Sequence, residues 1–227
     1  VSKDKKFVYS TPNMKNLDNI NITDKLSKEI NIPVYINKDV NFLILNDIEK
    51  NKIEKDKVTL GFYIGTGFGN AVYINGKTLE GKNGVAGELG HIPVLGSQDM
   101  CSCGNIGCIE IYASGKNLQK ILKEKFVNEN IEEIFTKYND NEIIKQYIET
   151  LALPIATEIN IFDPDYIIIG GGVPMMKDFP IEYLNKSIYK YTRKPYPAES
   201  LNIIYSKHDQ KSGVLGAAYY IRKEAKK

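Results

Sequence analysis

Apolar side chains recur every three to four residues in several parts of the chain, which is the pattern of helices that bury one face. The longest such stretch covers residues 140–160, and its apolar positions fit helical spacing: Ile143, Ile144, Tyr147, Leu151, Ile155 and Ile159. Pro154 lies in its centre, so a kink is expected there. Shorter helical patterns cover residues 23–29, 40–50, 112–124, 129–137 and 213–223.

Short apolar runs between these segments predict strands. They cover residues 31–36, 58–64, 71–74, 166–169 and 201–205. The pair Asn75-Gly76 favours a type I′ turn, so a further strand is expected near Thr78-Leu79. Pro174 suits the first turn of a helix that follows the strand at 166–169. Strands that alternate with helices predict the α/β class.

The composition narrows the range of partners. The 227 residues suffice for one large domain or two smaller ones, and 42% of them are hydrophobic, enough for a sizeable core. The net charge is only +2 and the lysines are spread along the chain, so no nucleic-acid partner is expected. No apolar run approaches the ~20 residues of a membrane span, so no membrane partner is expected either.

All three cysteines lie in one short segment with one of the two histidines, as His91, Cys101, Cys103 and Cys108. An odd number of clustered cysteines favours a metal in the reducing cytoplasm over disulfide bonds. Four such ligands within eighteen residues can close a tetrahedral shell around one structural zinc ion. The alternative is three unrelated free cysteines. Glu88 and Glu110 flank the cluster, which suggests a site that holds a polar substrate.

Two glycine-rich turns follow predicted strands. In the first, Gly65-Thr66-Gly67-Phe68-Gly69, successive backbone N–H groups can point at a phosphate, but a plain tight hairpin explains the glycines equally well. The second, Gly170-Gly171-Gly172, follows a buried strand and leaves room for a nucleotide base or ribose. A tight strand-to-helix turn is the alternative there. The first turn matches neither the Walker A nor the Rossmann pattern.

Asp39 is a candidate general base, because it follows the predicted strand at 31–36 and carboxylates at the carboxyl ends of strands can serve that role. Asp is also favoured at the N-cap of a helix, and the sequence itself does not separate the two roles. The second histidine, His208, is interpreted as a loop residue.

Together these segments resemble the ROK family of sugar kinases and sugar-responsive regulators. The signature is Gly-Glu-Leu-Gly-His at 87–91 followed by Cys-x-Cys-Gly-x-x-Gly-Cys-x-Glu at 101–110. Further matching motifs are Gly-Thr-Gly at 65–67, Phe-Asp-Pro-Asp at 162–165, Gly-Gly-Gly-Val at 170–173 and Gly-Ala-Ala at 216–218. Within the family, residues 84–93 and 159–165 look closest to D-allose kinases.

The resemblance implies an actin-like ATPase fold of the ribonuclease H-like type, with two α/β lobes and the sugar and ATP between them. Residues 1–38, with the closing helix 213–227, would be the remainder of the small first lobe, which is incomplete. Residues 39–212 would form the large lobe, with the zinc loop at 87–110. The family's opening strand with its Asp-x-Gly-Gly-Thr motif is absent, so this chain by itself is expected to have little or no kinase activity.

By resemblance, Asp39 is the catalytic base for the 6-hydroxyl of a hexose, D-allose above all, as that oxygen attacks the γ-phosphoryl group of Mg·ATP. The resemblance implies that Gly65, Thr66 and Gly67 hold phosphates, and that Gly170, Gly171 and Gly172 line the adenosine pocket. It implies that Glu88, His91 and Glu110 bind sugar hydroxyls. His91 would also ligate a structural zinc ion with Cys101, Cys103 and Cys108. A homodimer is usual in the family.

One departure concerns specificity. The family usually has Asn immediately before the catalytic Asp, whereas this chain has Lys38 there, with Asn37 one step earlier. Allose kinases resemble the chain in carrying a basic residue at this position, so Lys38 is predicted to help discriminate sugar hydroxyl stereochemistry. The incomplete lobe predicts exposed apolar surface near 31–36, which favours self-association. Alternative functions are the sugar-sensing part of a ROK transcriptional regulator and an inactive sugar-binding remnant.

Overall fold

A computed structural model describes residues 1–9, 11, 16–209 and 211–224, without the side chains of Lys223 and Glu224. The α-helices among these residues are α1 (Ile22–Ile30), α2 (Asp39–Lys50), α3 (Gly115–Lys125), α4 (Ile134–Tyr138), α5 (Glu142–Phe162), α6 (Ile181–Tyr191) and α7 (Ser212–Glu224). The strands are β1 (Phe7–Val8), β2 (Ile20–Asn21), β3 (Thr59–Ile64), β4 (Phe68–Ile74), β5 (Lys77–Thr78), β6 (Tyr166–Gly170) and β7 (Ile203–Tyr205). This mixture of helices and strands confirms the α/β class.

A five-stranded sheet with the order β5-β4-β3-β6-β7 organises the chain, and a separate two-stranded sheet joins β1 to β2. Strands β3, β6 and β7 run parallel, whereas β4 runs antiparallel to β3 and β5. Tyr63 of β3 lies opposite Gly170 of β6, so the turns that follow these two strands leave the same edge of the sheet. The glycine-rich turns are therefore neighbours in space.

Helices cover both faces of the sheet. All six residues of β3 are buried, and because successive side chains of a strand point to opposite faces, the strand contributes to two cores. Leu60, Phe62 and Ile64 belong to a core that includes residues of α3, α5 and α6. Tyr63 belongs to a second core on the other face, with residues of α2 and with Tyr220 of α7. Burial on both faces explains why the sequence of β3 is a continuous apolar run.

Helix α7 packs closely against α2. A Cβ added to Gly216 would overlap the backbone of Phe42, so the two helices meet at a position where only glycine fits. The closing helix thus contacts the element that carries Asp39. The assignment of residues 1–38 and 213–227 to one lobe and 39–212 to another stays a prediction, and residues 225–227 lie outside the described residues.

Two predicted elements are wrong. Residues 31–36 form no strand in the described part of the chain: Asn31 ends α1 in a left-handed conformation with a φ angle of 54°, Pro33 lacks an N–H, and the N–H of Val34 donates to Ser27 Oγ, 2.9 Å away. No helix follows Pro174; the chain makes turns there, and α6 begins only at Ile181. Ile32 and Tyr35 are exposed, which agrees with the apolar surface predicted for this segment.

The other predicted helices and strands are present, whereas the kink expected at Pro154 stays a prediction. Helix α5 runs from Glu142 to Phe162 without interruption, with Pro154 inside it. Asn75 and Gly76 have φ angles of 53° and 73°, the left-handed pair that a type I′ turn requires. None of the described helices is both long and apolar enough to cross a membrane.

Candidate functional site

The first residue of α2 is Asp39, and its side chain is exposed. Its Oδ1 accepts a hydrogen bond from the N–H of Val40 at 2.8 Å. The N-cap is Lys38, so the alternative that Asp39 serves as the N-cap is wrong. Val40 packs so closely on Gly69 that a Cβ there would lie 2.6 Å from Val40 Cγ1. The start of α2 therefore lies beside the strand that leaves the first glycine-rich turn.

The ammonium group of Lys38 ties this helix start to the Gly-Glu-Leu-Gly-His segment. Its Nζ donates to the carbonyl oxygens of Ala86 and Gly87, at 2.8 and 3.4 Å. It also lies 2.9 Å from Oε1 of Glu88, with which it forms an ion pair. We call residues 84–88 the sugar loop from here on, after the role that the sequence predicts for Glu88.

The two ring nitrogens of His91 face different partners. Nε2 lies 3.7 Å from Oε2 of Glu88, and Nδ1 lies 3.7 Å from Sγ of Cys101. The imidazole is partly exposed and ends a single 3₁₀ turn, Leu89–His91. His91 thus stands between the sugar loop and the cysteine cluster, which is the position that the predicted double role requires.

The cysteine segment brings its ligands together. One donor atom from each of His91, Cys101, Cys103 and Cys108 lies within 4.8 Å of all the others. Sulfur atoms on one tetrahedral zinc ion are about 3.8 Å apart, given Zn–S bonds of ~2.3 Å, and the sulfurs of Cys103 and Cys108 are 3.5 Å apart. The four residues therefore fit a zinc ion.

The electrostatics of the cluster also favour metal binding. Burial opposes ionisation of the Cys101 thiol, but hydrogen bonds from the backbone and side chain of Cys103, and from other members of the cluster, lower its pKa to about 7. Burial raises the pKa of the neighbouring Cys108 thiol. One thiolate is therefore accessible near neutral pH, and a bound cation would favour ionisation of the others.

Glu110 supports the first glycine-rich turn. Its Oε2 accepts a hydrogen bond from the N–H of Phe68 at 2.8 Å, and a Cβ on Gly67 would overlap its carboxylate. Gly67 therefore leaves room for the carboxylate of Glu110, and its role in holding a phosphate stays a prediction. The sequence placed Glu110 among the sugar ligands; the structure places one of its two oxygens on the turn that the sequence assigned to phosphate.

The two glycine-rich turns contact each other and the start of α3. The N–H of Val173 donates to Ile64 O at 2.9 Å, and a Cβ on Gly171 would lie 2.5 Å from that same oxygen. The N–H of Gly115, the first residue of α3, donates to Gly65 O at 2.8 Å. Around Gly65 and Gly172 nothing lies within 4 Å of an added Cβ, so these two glycines border open space.

A profile of the ROK family matches residues 1–224. The chain belongs to the ROK family. Among its relatives, the glucokinase of Thermotoga maritima is 25% identical, over 98% of this chain and 76% of that protein. The N-acetyl-D-glucosamine kinase of Vibrio atlanticus is 31% identical, over 82% of this chain and 66% of that protein. The xylose repressor of Caldicellulosiruptor bescii is 28% identical, over 95% and 58%.

Solved structures of ROK proteins share the fold. A ROK glucokinase from Streptomyces griseus in complex with glucose and AMPPNP superposes with a TM-score of 0.80 and 24% identity, over 98% of this chain and 78% of that one. A ROK transcriptional regulator described as a homologue of the E. coli MLC protein gives 0.80 and 23%, over 98% and 60%. The ROK chain described here therefore has the actin-like ATPase fold, and it spans 58 to 76% of the length of the three relatives above.

Sequence reasoning missed a buried cluster at the second glycine-rich turn of this ROK protein. Asp47 of α2 is fully buried and accepts hydrogen bonds from Tyr63 Oη at 2.9 Å and from Ser206 Oγ at 2.5 Å. His208, interpreted only as a loop residue, places Nε2 2.9 Å from Asp47 Oδ2. Its ring fills the space that a Cβ of Gly170 would need, so Gly170 makes room for His208, and its place in an adenosine pocket stays a prediction.

A second missed pair lies beneath the sugar loop. Glu158 of α5 is only 5% exposed, and its Oε2 accepts a hydrogen bond from Asn70 Nδ2 at 2.6 Å. Burial raises the pKa of Glu158 to about 7, although Asn70 and the charge of Lys38 both favour the ionised form. The sequence held a signal for it, since Glu158 shares the apolar face of α5 with Leu151 and Ile155.

Proposed function

We propose that the protein is an ATP-dependent sugar kinase that transfers the γ-phosphoryl group of Mg·ATP to the 6-hydroxyl of a hexose. The observation that carries the proposal is the position of Asp39: an exposed carboxylate at the start of α2, packed beside the strand that leaves the first glycine-rich turn. Phosphoryl transfer depends mainly on alignment and charge stabilisation, so one base next to phosphate-binding amides suffices.

In this proposal Asp39 accepts the proton of the attacking hydroxyl. The phosphates lie against the open sides of the two turns, at Gly65 and Gly172, with the exposed Thr66 between them and the sugar. Glu88 and His91 bind sugar hydroxyls from the opposite side. A magnesium ion bound to the phosphates would neutralise charge that develops during transfer.

A structural zinc ion is part of the proposal. His91, Cys101, Cys103 and Cys108 would hold it, and four protein ligands leave no position for a reactive water. Its contribution would be to fix the imidazole of His91, whose second nitrogen faces Glu88. The ion would thus orient two sugar ligands without taking part in the transfer.

D-Allose is the sugar we propose, on the resemblance of residues 84–93 and 159–165 to allose kinases. The relatives described above are named for glucose, N-acetyl-D-glucosamine and xylose, so they support a sugar ligand and leave its identity to experiment. Lys38, which replaces the usual Asn before the base, is the residue that sets this chain apart within the site.

A sugar-sensing role is the second candidate. It is favoured by the xylose repressor and the MLC homologue, which match 95% and 98% of this chain. A regulator needs sugar binding but no phosphoryl transfer, whereas the exposed Asp39 and the open glycine turns serve transfer. The phosphorylation rate and the hexose Kd of an Asp39 variant distinguish the two candidates better than the activity of the isolated chain does.

The test is a screen with radioactive ATP over a panel of hexoses. It uses the 227-residue chain and the same chain extended by any coding sequence that precedes it in its gene. We expect phosphorylated hexose from the extended form, and a roughly 10³-fold lower rate with Asp39→Asn but an unchanged hexose Kd. Asp56→Asn, an exposed carboxylate in a loop, is the control. If hexose binds but neither form transfers phosphate to it, the sensor role would be favoured. If neither form binds hexose, both proposed functions would be refuted.

A further inference from the structure

A buried acid beneath the sugar loop has no place in the proposed chemistry. Glu158 lies on the buried, mainly apolar face of α5 and is 5% exposed, yet it is an ionisable side chain. Burying a carboxylate is costly unless it is hydrogen-bonded and compensated by charge. Its hydrogen-bond donor is Asn70 of β4, and the cation that faces it is Lys38. Both partners belong to the surroundings of the sugar loop.

Asn70 connects Glu158 to the loop itself. The amide nitrogen of Asn70 donates to Glu158 and, at 3.2 Å, to Gly61 O, so its orientation is fixed from both sides. On its other side lies Gly87, at which a Cβ would lie 2.9 Å from Asn70 O and 3.0 Å from Asn70 Oδ1. Gly87 has φ +78°, a conformation that L side chains rarely adopt.

The contacts that lead from Glu158 through Asn70 to Gly87 end at the proposed sugar ligands. The carbonyl oxygen of Gly87 accepts from Lys38 Nζ at 3.4 Å, and the next residue is Glu88. Any shift of Asn70 would therefore move the Gly87 peptide, and with it the ion pair between Lys38 and Glu88. Oδ1 of Asn70 is buried and has no hydrogen-bond partner among the described residues, so no other polar contact holds that end of the amide.

We propose that Glu158 is a positioning residue for the sugar site, which acts through Asn70 on the Gly87 peptide and so sets the geometry of Lys38 and Glu88. The inference rests on the proposed function, because the loop that it positions is the proposed sugar-binding loop. It adds two residues, one from α5 and one from β4, to the set that determines which hexose is bound.

The experiment compares Glu158→Gln with Glu149→Gln. Glu149 is a matched control, because it lies on the same helix but binds Tyr183, Lys190 and Tyr191 on the side of α6. At about pH 8, where the Glu158 carboxylate of the wild type is ionised and holds Asn70 more strongly than a neutral amide does, we expect Glu158→Gln to raise the hexose Kd, measured by calorimetry, about tenfold, while the Kd of ADP changes less than about twofold. Amide hydrogen exchange in residues 84–88 should become faster in Glu158→Gln and stay unchanged in Glu149→Gln.

Several results would overturn the inference. One is an amide hydrogen exchange rate in the sugar loop of Glu158→Gln that equals the wild-type rate. Another is an equal loss of hexose and ADP affinity in that variant. If Glu158→Gln does not fold, Glu158→Met, which retains the length and apolar packing of the side chain, takes its place with the same readouts. Failure of the proposed function is distinguishable, since a wild-type chain that binds no hexose refutes that proposal, whereas loop exchange reports on Glu158 without any ligand.

Discussion

The Nζ atom of Lys38 lies 2.9 Å from Oε1 of Glu88 and joins two segments 50 residues apart in the chain. An ammonium group has three N–H donors, and Lys38 donates one hydrogen bond each to Glu88 and to the carbonyl oxygens of Ala86 and Gly87. The residue before the proposed base therefore holds the sugar loop in place. Its effect on sugar specificity would be exerted through Glu88, because no donor is left for the sugar.

We expect Lys38→Asn to change the preference between allose and glucose. Loss of the ammonium frees Glu88, so the ratio of kcat/KM for the two sugars should shift by about tenfold, in either direction, while the KM for ATP stays close to the wild-type value. The measurement is a coupled ADP-release assay on the extended form of the chain, from which phosphorylated hexose is expected. Lys57→Asn, which breaks a surface ion pair with Asp165, is the control. An unchanged ratio would remove Lys38 from the specificity set.

The cysteine cluster should contain one zinc ion per chain, measured by elemental analysis after purification without chelator. Removal of the ion should lower Tm by about 5 °C or more, because a chain of this size loses ~2–4 °C for each kcal/mol. Cys103→Ser should have the same effect, since Cys103 is exposed and its loss leaves packing intact. Ser102→Ala is the neighbouring control. Metal-free wild-type protein with an unaltered Tm would contradict the assignment.

Elements with a strong local signal could be predicted from the sequence. β3 and β6 were predicted because strands buried on both faces have unbroken apolar runs, and the turn at Asn75-Gly76 because both residues tolerate positive φ. The segment 31–36 has a similar apolar run but pairs with no described strand. Whether an apolar run becomes a strand depends on a neighbour, and a single segment does not contain that information.

Only part of the site could be predicted, because it also depends on neighbours that are distant in the sequence. Motif residues such as His91 and Cys101 are close in sequence, so their meeting could be anticipated. Asp47 and His208 are 161 residues apart, and Asn70 and Glu158 are 88 apart. Pairs of this kind depend on the order of strands in the sheet, which no local periodicity records. Only the charge of Glu158 on an apolar helix face pointed to a buried partner.

The Asp47 cluster should be important for stability. Asp47 is fully buried and accepts from Tyr63, Ser206 and His208, and burial together with its charge raises the pKa of Tyr63. In Asp47→Asn an amide NH₂ would oppose at least one of these donors, so we expect a loss of about 2–4 kcal/mol in the free energy of unfolding. Urea denaturation measures it. Asp56→Asn should stay within about 0.5 kcal/mol, and a similarly small loss for Asp47→Asn would refute the role.

Glu158 should make stability depend on pH in the neutral range. Burial raises its pKa from 4.5 to about 7, so between these values the folded chain keeps a proton that the unfolded chain has lost. The stabilising effect of that proton is complete below about pH 4.5 and is lost as the pH rises to about 7, at a total cost of about 3 kcal/mol. Residue 158 cannot titrate in Glu158→Gln. The contributions of all other titratable groups to the pH dependence of stability cancel when the variant is compared with the wild type. Urea unfolding at about pH 5 and about pH 8 should therefore show the variant gaining on the wild type at the higher pH. A difference between the two proteins that stays constant with pH would mean that Glu158 ionises in the folded chain as it does in water.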